Sequence, residues 1–148
     1  MCVRRSGRAI IVREGHLALL RRDRAELTYY VFPGGGVEHD ETPEEAAIRE
    51  AHEELGVTIR SEQLVAVIRW HEHEMYVCQA TIVGGRFGSG HGPEFRSHSP
   101  ETGTYRPVWL HLQSLPDFDV RPKEIADALV NGDLLSRPAP LNLTISGL

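Results

Sequence analysis

Four glutamates and one arginine, Glu41, Arg49, Glu50, Glu53 and Glu54, crowd a short stretch of this 148-residue chain. On a helix Glu50 and Glu54 are neighbours at i,i+4 and Glu53 is i+3 from Glu50. Three like charges then share one face, at a cost of roughly 0.2–0.5 kcal/mol per pair. A divalent cation would offset that repulsion, because hard oxygen ligands at this spacing reach one or two ions and leave coordination sites open for water and phosphate. Magnesium fits best, with manganese as the substitute. The plainer alternative is a solvated acidic helix face.

The surroundings favour the metal. Pro33 and the triplet Gly34-Gly35-Gly36 end a strand-like run, Tyr29-Tyr30-Val31-Phe32, and bring bare backbone to the start of the acidic segment. Such backbone suits a phosphate or a carbonyl-bound metal, with Gly35 and Gly36 as candidate substrate contacts. Thr42-Pro43-Glu44-Glu45 is a helix start with a cap, a first-turn proline and a capping-box glutamate. The helix is expected to run to about Leu55 and to stop at Gly56. Ala47, Ile48, Ala51 and Leu55 form its buried stripe, with Glu50, Glu53 and Glu54 pointing elsewhere. Arg49 is placed to pair with Glu53 at i+4 and with Glu41 across the loop, holding both in orientation.

The other elements must position this helix. Arg8–Val12 and His16–Leu20 read as a hairpin over Arg13-Glu14-Gly15, and Leu64–Trp70 and Met75–Val83 as two antiparallel strands around His71-Glu72-His73-Glu74. Arg106–Leu110 reads as a further strand and Pro122–Val130 as a short helix closed by Asn131-Gly132. The Gly-, His- and Ser-rich stretch from Gly84 to about Thr104 reads as a long loop, functional or disordered. The tail from Ser136 reads as a loose end or as a strand laid on a neighbouring subunit. Strands and helices interleave without regular βαβ spacing, which favours a mixed sheet between helices.

Composition narrows the functions open to the chain. Its length suits one domain, 1–148, with no room for a second catalytic unit. A net charge of −5 argues against a nucleic-acid polymer as partner, while small phosphorylated ligands stay open because a metal reverses the local sign. Cys2 and Cys78 lack disulfide or zinc spacing and read as free thiols. No segment has the length of a signal peptide's apolar region or of a membrane span, so a cytoplasmic location is the expectation.

Gly35 to Val57 resembles the Nudix box, G-x5-E-x7-R-E-U-x-E-E-x-G-U, where U is a bulky aliphatic residue. Gly35, Glu41, Arg49, Glu50, Glu53, Glu54, Gly56 and Val57 match it. Ala51 departs from it, small where bulk is asked for. The resemblance implies the α/β (α+β) class, an α/β/α sandwich with a mixed β-sheet. It also implies a phosphohydrolase or pyrophosphatase that cleaves a diphosphate linkage in a nucleoside diphosphate joined to another moiety, by water attack on phosphorus. Carried over by position, Glu50 and Glu54 become the chief metal ligands. Glu53 becomes a further ligand or water partner, the Gly35 carbonyl a supplement, and Glu41 with Arg49 the orienting pair.

The general base stays open between Glu53 and two glutamates of the long loop, Glu94 and Glu101, because proximity to the water decides it. Among the arginines near the first two strands, Arg4, Arg5, Arg8, Arg21, Arg22 and Arg24, Arg21 at a strand end is the candidate phosphate contact. His71 and His73 are read as a solvated hairpin end in preference to a metal pair. The competing function is a Nudix-fold module that binds or senses a nucleotide without turnover; such modules lose box carboxylates, and none is lost here. A homodimer is a further expectation, from the family habit of pairing and the apolar tail.

Overall fold

The computed structural model describes residues 3–90 and 103–147. Strand β1 (Arg4–Arg13) turns through Glu14 and Gly15, with φ of 51° and 75°, into β2 (His16–Arg24). Positive φ at both central residues gives the turn a twist that matches its strands. β1 and β2 are longer than the apolar runs alone suggest, so all six arginines near the runs lie within the strands. β3 (Leu27–Val31) follows, then β4 (Gly34–Gly36), a short strand paired antiparallel to β1 with Gly34 opposite Arg8 and Gly36 opposite Ser6.

Helix α1 (Pro43–Leu55) has the cap the sequence predicts. Thr42 Oγ1 accepts from the Glu45 N–H, Glu45 Oε1 accepts from the Thr42 N–H, and Gly56 closes the helix at φ 80°. β5 (Val57–Trp70) and β6 (His73–Gly85) form a long antiparallel pair joined by a two-residue turn at His71 and Glu72. The first half of β5 is hidden from a sequence reading because Arg60 to Gln63 are polar and register shifts at Thr58/Ile59, Ser61/Gln63 and Leu64/Ala66 break the alternation. β7 (Thr104–His111), a 3-10 helix at Leu112–Asp117, β8 (Val120–Arg121) and α2 (Lys123–Val130) complete the body.

β9 (Leu141–Thr144) pairs in parallel with Ala66–Arg69 of β5, so the tail is a strand of its own chain's sheet. That corrects both expectations for it, a loose end and a strand on another subunit.

The strand order is β8-β3-β2-β1-β6-β5-β9, with β4 beside β1 and β7 beside β2, and it mixes parallel and antiparallel pairs. Alternate side chains feed two cores. On one face Ala9, Ile11, Cys78 and Ala80 pack against Ala47, Ala51 and Leu55 of α1; on the other Ile10, Ile68, Met75 and Val77 join Ile125, Ala126 and Leu129 of α2. This is the mixed-sheet α/β/α sandwich the sequence pointed to. Cys78 is a buried free thiol. Ala46 is fully buried and Ile48 only partly, so the α1 stripe is shifted from the one expected.

The helix rests very close to the sheet. A Cβ on Gly7 of β1 would lie 1.8 Å from the Pro43 carbonyl oxygen and 3.2 Å from the Ala47 nitrogen, so only glycine admits the helix N-terminus there. No helix among the described residues is long and apolar enough to cross a membrane.

Candidate active site

Glu54, expected to point away from the core with the other acids, is the buried one, at 5% exposure. Its Oε1 accepts the Gly34 N–H at 2.8 Å, which ties the last turn of α1 to β4. Burying a carboxylate is costly unless it is hydrogen-bonded, and this bond lowers that cost. Gly34 itself has a φ of 147° and sits against β1, where a Cβ would lie 2.0 Å from the Gly7 carbonyl oxygen. Gly35 is fixed from the other side: its Cβ would lie 2.8 Å from Cδ of Glu50 and 2.9 Å from Oε2. Gly36 faces open space.

Arg49 gathers the remaining carboxylates. Its Nε donates to Glu41 Oε2 at 2.8 Å and its Nη2 to Glu41 Oε1 at 3.0 Å, a two-pronged pair of the kind that fixes orientation. Nη2 also reaches the Gly36 carbonyl at 3.1 Å, and Nη1 donates to Glu50 Oε1. Glu53 stands 3.6 Å from Nη1 with its side chain 38% exposed. The Arg49 hydrogen bonds, with the Glu38 N–H donating to Oε1, hold the Glu41 carboxyl down at about 2. Arg49 is pushed above its ordinary value, chiefly by Glu41. The pairings of Arg49 with Glu41 and Glu53 are those expected; its direct bond to Glu50 was not.

Arg8 was missed as part of this site. Nη1 donates to the Phe32 carbonyl at 2.9 Å and to the Gly34 carbonyl at 3.1 Å, so Gly34 is held by an acid at its N–H and by a base at its oxygen. Burial lowers the Arg8 guanidinium from its ordinary value, and the charges of Glu54 and Glu50 oppose that shift. The signal was there: at strand period two, the inward stripe through Ile10 continues with Arg8 and Ser6, polar where a core stripe should be apolar.

Other candidates lie elsewhere. Arg21 is inside β2, its Nε 3.2 Å from Asp23 Oδ2, a partly exposed ion pair; among the described residues no hydrogen bond joins it to the box. Arg22 stacks over the Tyr105 ring at 4.0 Å. His73 stacks on Trp70 with ring centres 5.0 Å apart, in place of pairing with His71. Glu94 and Glu101 fall outside the described residues. The chain just before them is placed, however: a Cβ on Gly90 would lie 2.5 Å from the Glu53 carbonyl oxygen, so the start of that segment lies on the end of α1.

The donor set suits a hard cation, carboxylates and bare glycine carbonyls around one strand. Among the described residues, however, no three acidic, histidine or cysteine side chains are gathered as a ready cage. The reason is visible in the partners: Glu54 is taken up by Gly34, Glu50 by Arg49, and Glu53 is turned to solvent. Glu50 lies one helical turn before the consecutive pair Glu53 and Glu54, so the three acids belong to neighbouring positions of one helix.

The frame is a mixed sheet between two helices, with an acidic helix laid along a glycine strand. The chain matches the NUDIX domain over residues 3–129 and belongs to that family. It is 28% identical over 134 residues to the RNA pyrophosphohydrolase of Gluconobacter oxydans, covering 86% of this chain and 74% of that one. It is 38% identical over 56 residues to the mouse diphosphoinositol polyphosphate phosphohydrolase 3-alpha, a match that spans 36% of this chain and only 34% of that relative's length. Among solved structures, a NUDIX hydrolase from Nitrosomonas europaea superposes with a TM-score of 0.74 at 21% identity, covering 99% of this chain and 80% of that one. The enzyme class expected from the box is thus the class of its relatives.

Proposed function

We propose that this chain is a cytoplasmic, divalent-metal-dependent hydrolase that cleaves a diphosphate linkage in a small nucleoside diphosphate derivative. The observation that carries the proposal is the close approach of Gly35 to Glu50, joined to the Gly34–Glu54 hydrogen bond: a complete set of box carboxylates lies against a strand that has no side chains to keep a phosphate away. Glu50, Glu54 and the Gly35 carbonyl would hold the cation, with Glu53 beside them. Magnesium or manganese bound there would screen phosphate charge and make the attacking water more acidic.

The chain's own residues supply the rest. Arg49, clamped by Glu41, sets the direction of Glu50 and ties it to the Gly36 carbonyl, so the acidic face and the glycine strand keep one spacing. Glu53 takes the proton from the water, a role supported by its exposure and by its loose tie to Arg49. The open Gly36 backbone leaves the substrate phosphates their approach.

The test is a phosphate-release panel of nucleoside triphosphates including oxidised purines, nucleotide sugars including ADP-ribose, and dinucleoside polyphosphates, each in magnesium, in manganese and in EDTA. The RNA and the diphosphoinositol polyphosphates that appear in the two relatives' names extend it. Cation-dependent turnover of at least one compound is expected. Nucleotide binding with no turnover under any condition would replace the proposal with a sensing module.

A further inference from the structure

The face of the sheet that packs α2 does not end in apolar residues. Along β1 its inward stripe runs Ile10, Arg8, Ser6, Arg4, and the register sets Arg8 beside Val77, Ser6 beside Met75 and Arg4 beside His73 of β6. On the other flank Gly36 lies opposite Ser6 and contributes no side chain. The result is a pocket of roughly 240 Å³ next to the glycine strand, walled by Arg4, Ser6 and Arg8 on one side and by the stacked Trp70–His73 pair on the other.

Its charge is the opposite of its surroundings. The chain carries a net −5 and the adjoining helix face is acidic, yet among the described residues no carboxylate lines this pocket. Arg5, which also borders it, is neutralised by Glu74 at 3.1 Å. Arg4 and Arg8 have no ion-pair partner within 4.0 Å among the described residues, and Arg8 bonds only to the Phe32 and Gly34 carbonyls while its Nε is buried without a partner. Arginine on the inner side of a strand is expensive to keep; tethering two carbonyls uses one nitrogen of its fork, and Glu54 and Glu50 support its charge from a distance without forming an ion pair with it.

We infer that this pocket binds an anionic phosphate group of the substrate outside the linkage that is cut, with Arg8 as its anchor and Arg4 at its rim. The inference rests on the hydrolase reading for the word substrate and on the pocket alone for the word phosphate. Guanidinium groups match phosphate oxygens in shape and charge, and the Ser6 hydroxyl adds a donor. An anion seated beside the acidic helix face needs such a counter-charge, and Arg4 and Arg8 supply it. The pocket therefore selects compounds that carry phosphate beyond the cleaved bond.

Calorimetric titration with inorganic tripolyphosphate in EDTA tests this without metal or turnover. The wild-type chain is expected to bind, R8Q to bind at least about tenfold more weakly, R8K to recover part of the loss, and R4Q to lose a few-fold. R137Q, remote and paired with Asp133, serves as the unchanged control. Equal binding by wild type, R8Q and R4Q, or no binding by the wild type, overturns the proposal. Should R8Q not fold, R4Q still decides, because Arg4 is exposed. Anion binding by a chain that cleaves nothing would sink the hydrolase reading and leave the pocket standing; turnover with a KM untouched by R8Q and R4Q would do the reverse.

Discussion

Gly35 and Glu50 compete for one volume: a Cβ on the glycine would stand 2.8 Å from the glutamate's carboxyl carbon. The atom that must yield is the end of a flexible side chain, so G35A displaces the carboxylate with little harm to the fold. A stability loss within about 1 kcal/mol is expected from chemical denaturation, alongside a fall in kcat of at least about tenfold. An equally active G35A would show that the position of Glu50 does not matter.

Gly7 offers the contrast. There the obstructing atom is the Pro43 carbonyl oxygen, 1.8 Å from the added carbon, and neither backbone can move without lifting α1 off the sheet. G7A is expected to cost about 1–3 kcal/mol or more, read as a lower denaturant midpoint. A midpoint unchanged from wild type would contradict the close contact.

The Glu41 carboxyl falls from its ordinary 4.5 to about 2 in the folded chain, because Arg49 and the Glu38 N–H bind its charged form. A carboxylate depressed in this way stabilises the fold fully above pH 4.5 and loses that contribution as pH falls toward 2. E41Q is expected to flatten this part of the acid limb in thermal melts taken across that window. The same steepness in E41Q as in wild type would rule the pairing out as its source.

Glu54 is read best through its amide. In E54Q the side-chain oxygen can still accept the Gly34 N–H, so the fold should persist, while the charge offered to a cation is gone. Manganese titration followed by electron paramagnetic resonance is expected to show at least about tenfold weaker binding, with a near-native melting temperature. Native-strength binding would remove Glu54 from the proposed ligands.

E53Q separates the candidate bases. With Glu53 as proton acceptor, kcat should drop by about 10²–10⁴ while E94Q and E101Q keep most of their turnover. A collapse confined to E94Q or E101Q would move the base to the segment that begins beyond Gly90.

Much of this arrangement can be read from residue order, and its limits have physical causes. The capping box at Thr42 and Glu45, the stop at Gly56 and the Arg49–Glu41 pair are local in sequence, so spacing alone indicates them. Glu54 was misjudged because helical periodicity counts a glutamate as solvent-facing, whereas its burial depends on a partner twenty residues away, the Gly34 N–H. Arg8 escaped for a similar reason: its carbonyl partners lie 24 and 26 residues on, just before β4 and at its start. The early part of β5 was hidden by its bulges, and the pairing of β9 depends on a contact from Leu141 to Ala66 that no local pattern reports.

That last pairing sets how exposed the sheet is to other chains. Unpaired N–H and C=O groups along an outermost strand are a template for association, and β9 caps those of Ala66–Arg69 with the chain's own backbone. A chain cut before Leu141 would bare an apolar, β-prone segment containing Ala66, Val67 and Ile68. Light scattering on such a truncation should show concentration-dependent aggregation where the full chain stays dispersed, making the last short strand a guard of solubility as much as a piece of the fold.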